Sequence, residues 1–203
     1  MTRSRIRTND PAGMRNRVLD VAAQSFQTSG FGATSTHDIV RQAGITGGAL
    51  HHHFPTKKAL ALAVIGERVA AEVGETWVAT VRDAPSAAEG ILQAFETVTA
   101  ALEAQGSVSG CPLGNLALEL SLADADLRAA LAGEYRAWRD AIADRIRRDH
   151  LQGKAGFASD PDAFANVVVA MFSGAMTIAK AEQDIAALKA SADQLRQIMS
   201  NRP

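Results

Sequence analysis

"ITGGALHHHFPTKKAL", Ile45 to Leu60, sets three consecutive histidines between a glycine pair and a lysine pair. Thr46 is a helix-capping residue type, and Pro55 ends the helix because the residue before a proline is disfavoured in the helical region. Successive helical residues point about 100° apart, so His51, His52 and His53 cannot converge on one ion. Zinc-binding helices use i and i+4 spacing with a carboxylate or cysteine nearby, and nothing between Gly44 and Leu60 supplies one. No Ser, Asp or Glu constellation accompanies the histidines, so a catalytic reading also fails, and no cofactor motif is present. A helix that reads nucleic acid needs close backbone approach and short polar side chains on base edges. Gly47 and Gly48 allow that approach and leave amides for a phosphate. His51 and His52 can hydrogen-bond bases or phosphates, while Leu50 and Phe54 turn toward a core. Taken alone, the stretch is equally compatible with a solvated histidine-rich helix.

The flanking residues give the stretch a context. Ser35-Thr36-His37-Asp38 has the form of a capping box, opening a short helix with Ile39, Val40 and Ala43 on its apolar side and Gly44 as its stop. Two helices separated by Ala43 to Thr46 form a helix-turn-helix. Upstream, Asp10-Pro11 reads as a cap and first helical position, followed by Val18, Leu19, Ala22 and Phe26 and a stop at Gly30. Downstream, Thr56 caps a helix running toward Trp77. The first third is thus three short helices and one long one. Helical spacing continues through Ile91 to Leu102, Pro112 to Leu122, Asp126 to Leu151, Phe164 to Ala179 and Ala187 to Met199. No strand-length alternation and no repeat interrupts it, so the expected fold is all-α.

Charge is divided unevenly. Residues 1–60 hold eight basic and three acidic residues, a net of +5, and the remainder nets −6, so the chain's −1 conceals a basic head on an acidic body. Such a head suits a polyanion. The single cysteine, Cys111, forms no internal disulfide, no secretory signal is seen, and no apolar run approaches the roughly 18 residues of a membrane span, so a cytoplasmic protein is expected.

Residues 18–64, "VLDVAAQSFQTSGFGATSTHDIVRQAGITGGALHHHFPTKKALALAV", resemble the DNA-binding domain of TetR-family transcriptional repressors. The F-x-x-x-G-F turn, the T-S-T-x-D-I helix start and A-G-I-T-x-G-A-L-x-x-H-F-x-T-K carry the likeness. His51 departs from the tyrosine frequent there. The resemblance implies DNA contacts by Ser35, Thr36 and His37 at the second helix, by Thr46, Gly47, Gly48, Ala49, His51 and His52 on the recognition surface, and by Lys57 on the backbone. Arg3, Arg5 and Arg7 admit two readings, a minor-groove arm or a solvated tail. It also implies an N-terminal three-helix helix-turn-helix domain over residues 1–60 and a helical ligand-binding and dimerisation domain over 61–203. Residues 126–151 and 161–181 would pair with their twins in a homodimer on a palindromic operator.

An inducer cavity is expected among Phe95, Cys111, Leu116, Tyr135, Trp138, Met171 and Met176, though each also suits plain core. Few charges fall among them, which points to an apolar or weakly polar small molecule. Cys111 lies in a G-C-x-x-G-N-L segment resembling one TetR branch in which such a cysteine senses electrophiles, and a nearby helix N-terminus would lower its pKa. Apolar packing is the commoner fate of such a cysteine and the preferred reading, with a thiol-sensing repressor as the alternative. An all-α enzyme would need a polar cluster after residue 60, and a general DNA-coating protein would be basic throughout. The sequence fits neither.

Overall fold

The computed structural model describes residues 11–155 and 157–200, and every regular element within them is helical. Arg3, Arg5, Arg7 and Asp10 lie outside the described residues. Helix α1 (Pro11–Ser29) runs from the expected first position at Pro11 to the expected stop at Gly30, and it buries Val18, Leu19, Ala22 and Phe26. In α2 (Thr36–Ala43) the Ser35 hydroxyl accepts the Asp38 N–H at 3.1 Å and donates to the Asp38 carboxylate, closing the capping box. Gly44 adopts φ +64°, the left-handed conformation only glycine takes without strain, and its N–H and that of Ile45 satisfy the Arg41 and Val40 carbonyls. Thr46 then caps α3 (Gly47–His53), whose buried Leu50, together with Phe54, closes over α1 beside Ile39 and Ala43.

Helix α4 is continuous from Lys57 to Asp83, beyond the Trp77 expected and across the expected domain boundary at residue 60. It passes from α (Lys57–Val64) to π (Ile65–Val69), α (Ala70–Val73), π (Gly74–Ala79) and α (Thr80–Asp83). The π turns have a geometric consequence. Arg68, Glu72 and Thr76, and likewise Val69, Val73 and Trp77, repeat every four residues along one wall of a cavity. At 3.6 residues per turn such a row would drift about 40° every four residues. The wider π turns cancel the drift and hold both rows on one side.

Helices α5 (Ala87–Gln105), α6 (Pro112–Leu120), α7 (Ala125–Leu151), α8 (Pro161–Glu182) and α9 (Ala186–Ser200) complete the body. Ser86, Asp124 and Asp160 cap α5, α7 and α8 with side-chain oxygens. At the centre Trp77, Phe95, Trp138 and Phe172 meet with ring centroids 4.8–5.6 Å apart, joining α4, α5, α7 and α8. A buried ion pair locks the far end. Arg145 Nε lies 2.9 Å from the Asp149 carboxylate and donates from its guanidinium to the Arg82 carbonyl at 2.7 Å, while Asp149 accepts the Ala87 N–H at 2.5 Å. The pair therefore fixes the α4–α5 corner against α7.

By length and composition α8 could cross a membrane, since an 18-residue window in it has mean hydropathy 1.5, although scattered small polar residues hide this from a search for an unbroken apolar run. Only 39% of that window is buried within the chain.

Candidate functional site

The helix-turn-helix presents a polar face to the outside. Ser35, Thr36, His37, Thr46, Gly47, Gly48, His51 and His52 are exposed, and Ala49 is half-buried. Leu50 and Phe54 point into the core, as the 100° spacing requires. His53 is half-buried, its ring 5.4 Å from that of His52 and 6.3 Å from Phe54. A Cβ added to Gly47 or Gly48 would meet nothing within 4 Å. Internal packing thus places no demand for glycine at either position, and the missing side chains matter only to something approaching from outside. Two polar groups at this surface already have partners within the chain. The Ala49 amide is not free for a phosphate, because it donates to the Thr46 hydroxyl at 3.2 Å. Lys57 turns inward, its ammonium 2.5 Å from the Phe31 carbonyl and 4.1 Å from the centre of the Phe31 ring. Burial draws its pKa below the ordinary lysine value, opposed by the charge of Glu119.

A partly open cavity of about 580 Å³ lies in the body, lined by α1, α4, α5, α6, Trp138 in the middle of α7 and Phe172 and Met176 in the middle of α8. Of the residues expected there, Cys111, Leu116, Trp138 and Met176 line it. Phe95 sits behind the wall in the aromatic cluster, Tyr135 stacks on Trp138 with centroids 6.3 Å apart, and Met171 packs half-buried against the core. Sequence reasoning missed the α4 wall, including Arg68, Glu72 and Thr76, and the polar contributions of Gln24 and Gln105. No local pattern marks that wall, because the row Arg68, Glu72 and Thr76 keeps to one side only through the π turns.

The Cys111 thiol agrees with the packing reading and not with the thiol-sensing alternative. Backbone amides of Leu113 and Gly114 do favour its thiolate, but desolvation outweighs them and pushes its pKa up, with Glu72 adding to the rise. The helix N-terminus therefore does not make this cysteine a ready nucleophile.

Helix α6 connects cavity and head. Its start, Cys111 to Leu116, lines the cavity, and its end carries Glu119, which accepts N–H groups of Phe31 and Gly32 in the α1–α2 turn. Asn115 donates to Gln27 of α1 at 2.9 Å and accepts from Lys180 of α8 at 3.1 Å. Lys58 bridges Asp124 and Asp126 at 2.8 and 2.7 Å, tying α4 to the start of α7.

The outer side of α8 is an apolar seam. Ala163, Val167, Ala170, Gly174, Ile178 and Ala181 are all exposed, at successive spacings of four, three, four, four and three residues, with Val167 and Ile178 at 45% and 48%. That spacing is the one by which a helix packs lengthwise against another.

Residues 18–64 match the tetR family of bacterial regulatory proteins, and residues 87–194, over half the chain, match the C-terminal domain of LmrA/YxaF-like transcriptional regulators. The HTH-type transcriptional regulator LmrA of Bacillus subtilis (strain 168) is 29% identical over 136 residues, covering 66% of this chain and 71% of LmrA. The uncharacterised HTH-type regulator YxaF of the same strain is 26% identical over 183 residues, covering 89% of this chain and 92% of YxaF. Among solved structures, reduced E. coli NemR superposes with a TM-score of 0.86 at 20% identity, covering 94% of this chain and 98% of NemR. At that identity the likeness is one of fold.

Proposed function

The chain belongs to the TetR family of bacterial regulatory proteins, DNA-binding transcriptional regulators with a helix-turn-helix, and from that premise we propose a ligand-responsive repressor that binds a palindromic operator as a homodimer. The observation that carries the proposal is the exposed row of His37, Thr46, Gly47, Gly48, His51 and His52 on one side of α2 and α3, with Leu50 and Phe54 turned inward. Residues 1–60 act as the DNA-binding unit and residues 61–203 as the ligand-binding and dimerisation unit. Ser35 and Thr36 meet phosphates at the start of α2. Lys57 takes a phosphate only by giving up the Phe31 carbonyl. The protein works in the cytoplasm, where its operator is, and the G-C-P-L-G-N-L segment at 110–116 supports its assignment to the branch that carries that pattern.

Two subunits pair through α7 and the seam of α8, which removes the apolar row from water. A two-fold dimer sets its recognition helices about one DNA turn, roughly 34 Å, apart. The inducer occupies the cavity and displaces α6, which shifts the turn held by Glu119 and with it the spacing of the two heads. Affinity for DNA then falls by the ratio of the ligand's affinities for the two conformers. A thiol-based trigger at Cys111 finds no support in a thiol whose pKa is raised.

The test is a gel-shift titration with DNA from the protein's own promoter region against a scrambled duplex at two salt concentrations. The proposal expects operator preference, steep salt dependence from released counterions and a complex containing at least two subunits. Equal affinity for both duplexes refutes it. Light scattering on Ala170→Arg checks the seam, since a monomer is expected where the unaltered chain is a dimer.

A further inference from the structure

The cavity's charges do not balance. Among the described residues that line it, Asp20, Arg68 and Glu72 are the charged ones. Arg68 is one turn from Glu72 on α4, yet it turns the other way, pairing with the Asp20 carboxylate at 2.7 Å and donating to Asn16 at 3.2 Å. Those two charges cancel at one end of the cavity. Glu72 is left with no hydrogen-bond donor or ion-pair partner among the described residues, and the titratable group it acts on electrostatically is the Cys111 thiol, itself an acid. The carboxylate stands on the cavity wall, where solvent reaches it, but enough protein surrounds it that desolvation pushes its pKa up. A cation seated beside an unpaired carboxylate in such a place gains a charge-assisted hydrogen bond that nothing in the chain supplies.

The rest of the cavity describes the body of that something. Trp77, Trp138 and Phe172 form an aromatic floor, and tryptophan tolerates an adjacent cation better than an aliphatic wall does. A volume of about 580 Å³ suits an organic molecule of drug size. Taking the cavity as the inducer site of the preceding subsection, we propose that its ligand is a hydrophobic amine, a protonated nitrogen on an aromatic or aliphatic body, with the nitrogen held by the Glu72 carboxylate and the body lying on Trp77, Trp138 and Phe172. This narrows the apolar or weakly polar molecule expected from sequence to a cationic amphiphile. Anionic ligands are rejected by the same carboxylate, and neutral ones leave it unpaired.

The chain carries two tryptophans, and both line the cavity, so their fluorescence reports occupancy without any DNA present. The probes are 4-phenylbutylamine, 4-phenylbutanol and 4-phenylbutanoate, one body with three charges. The amine is expected to perturb the emission at about tenfold lower concentration than the alcohol, and the acid to be weakest, a ratio that corresponds to one charge-assisted hydrogen bond. Glu72→Gln should bring amine and alcohol level, and acidifying the unaltered protein should do the same as Glu72 takes up a proton. The acidification arm needs no variant to fold. Asp20, Arg68 and Cys111 line the same space, but Asp20 is held in an ion pair with Arg68 and burial pushes the Cys111 pKa up, away from the acid range, so Glu72 governs the change. Equal response to all three probes, or an amine preference that survives both Glu72→Gln and acid, overturns the proposal. Release of DNA by the amine is read separately by gel shift. Failure there, with the amine preference intact, sinks the inducer-site reading and leaves the charge assignment standing.

Discussion

Glu119 of α6 accepts the backbone N–H of Gly32 at 2.9 Å, so a helix whose first turn lines the cavity holds, by its last turn, the bend leading into α2. The same carboxylate accepts the Phe31 N–H at 3.2 Å and lies against Gly30, where an added Cβ would come within 2.7 Å of it. Gly30 also has φ +87°. Replacing Glu119 with Ala should leave ligand binding in the cavity intact and weaken the coupling between ligand and DNA. Each lost hydrogen bond to a charged acceptor is worth about 1.5 kcal/mol or less at this exposed site, so the ligand-induced drop in operator affinity should shrink several-fold. Gel-shift titrations with and without ligand measure it, and unchanged coupling would count against α6 as the link.

The recognition surface can be altered without touching the core. His51→Ala and His52→Ala should each weaken operator binding by about 1–3 kcal/mol, as loss of a base or phosphate contact does, with melting temperature nearly unchanged. Gly48→Val should abolish binding while the chain still folds, because a side chain there meets open space within the protein. Circular dichroism beside gel shift separates the two effects.

Breaking the buried pair should act on stability alone. Asp149→Ala leaves the Arg145 guanidinium and the Ala87 N–H without their carboxylate in the interior. A loss of about 3–5 kcal/mol is expected in chemical denaturation, whereas breaking the solvent-screened Arg82–Asp83 pair should leave the midpoint nearly unchanged.

Glu72 also predicts a pH dependence. Its carboxyl has a pKa above the ordinary 4.5 in the folded chain because of desolvation, so the folded state holds that proton more tightly than the unfolded state does. Its contribution to stability is therefore greatest below the unfolded value and is lost as pH rises through the folded one. Ligand-free Glu72→Gln should be more stable than the unaltered protein at neutral pH, and the difference should narrow on acidification. Urea midpoints at several pH values check this, and a variant less stable at neutral pH would contradict it.

Much of the architecture is legible in the amino-acid sequence. The capping box at Ser35, the stop at Gly44 and the breaker at Pro55 act through backbone bonds to residues within five positions, so their chemistry is visible locally. The same holds for the outward turn of His51 and His52, which helical geometry requires once Leu50 and Phe54 are buried. The cavity is only partly legible. Cys111, Leu116, Trp138 and Met176 follow from the sequence, whereas the α4 wall does not, because two π turns re-aim Glu72 and Thr76 and no local pattern announces them.

By itself the sequence settled helix type, helix ends and the polar face of the helix-turn-helix, since each depends on neighbours a few residues apart along the chain. Tertiary structure decided which way the charged groups turn. Lys57 docks on Phe31, Glu119 reaches back 87 residues to Gly32, and Arg68 chooses Asp20 over Glu72, one turn away. These choices depend on which partner packing brings within hydrogen-bond reach and which group it leaves desolvated, and sequence separation carries no record of that distance.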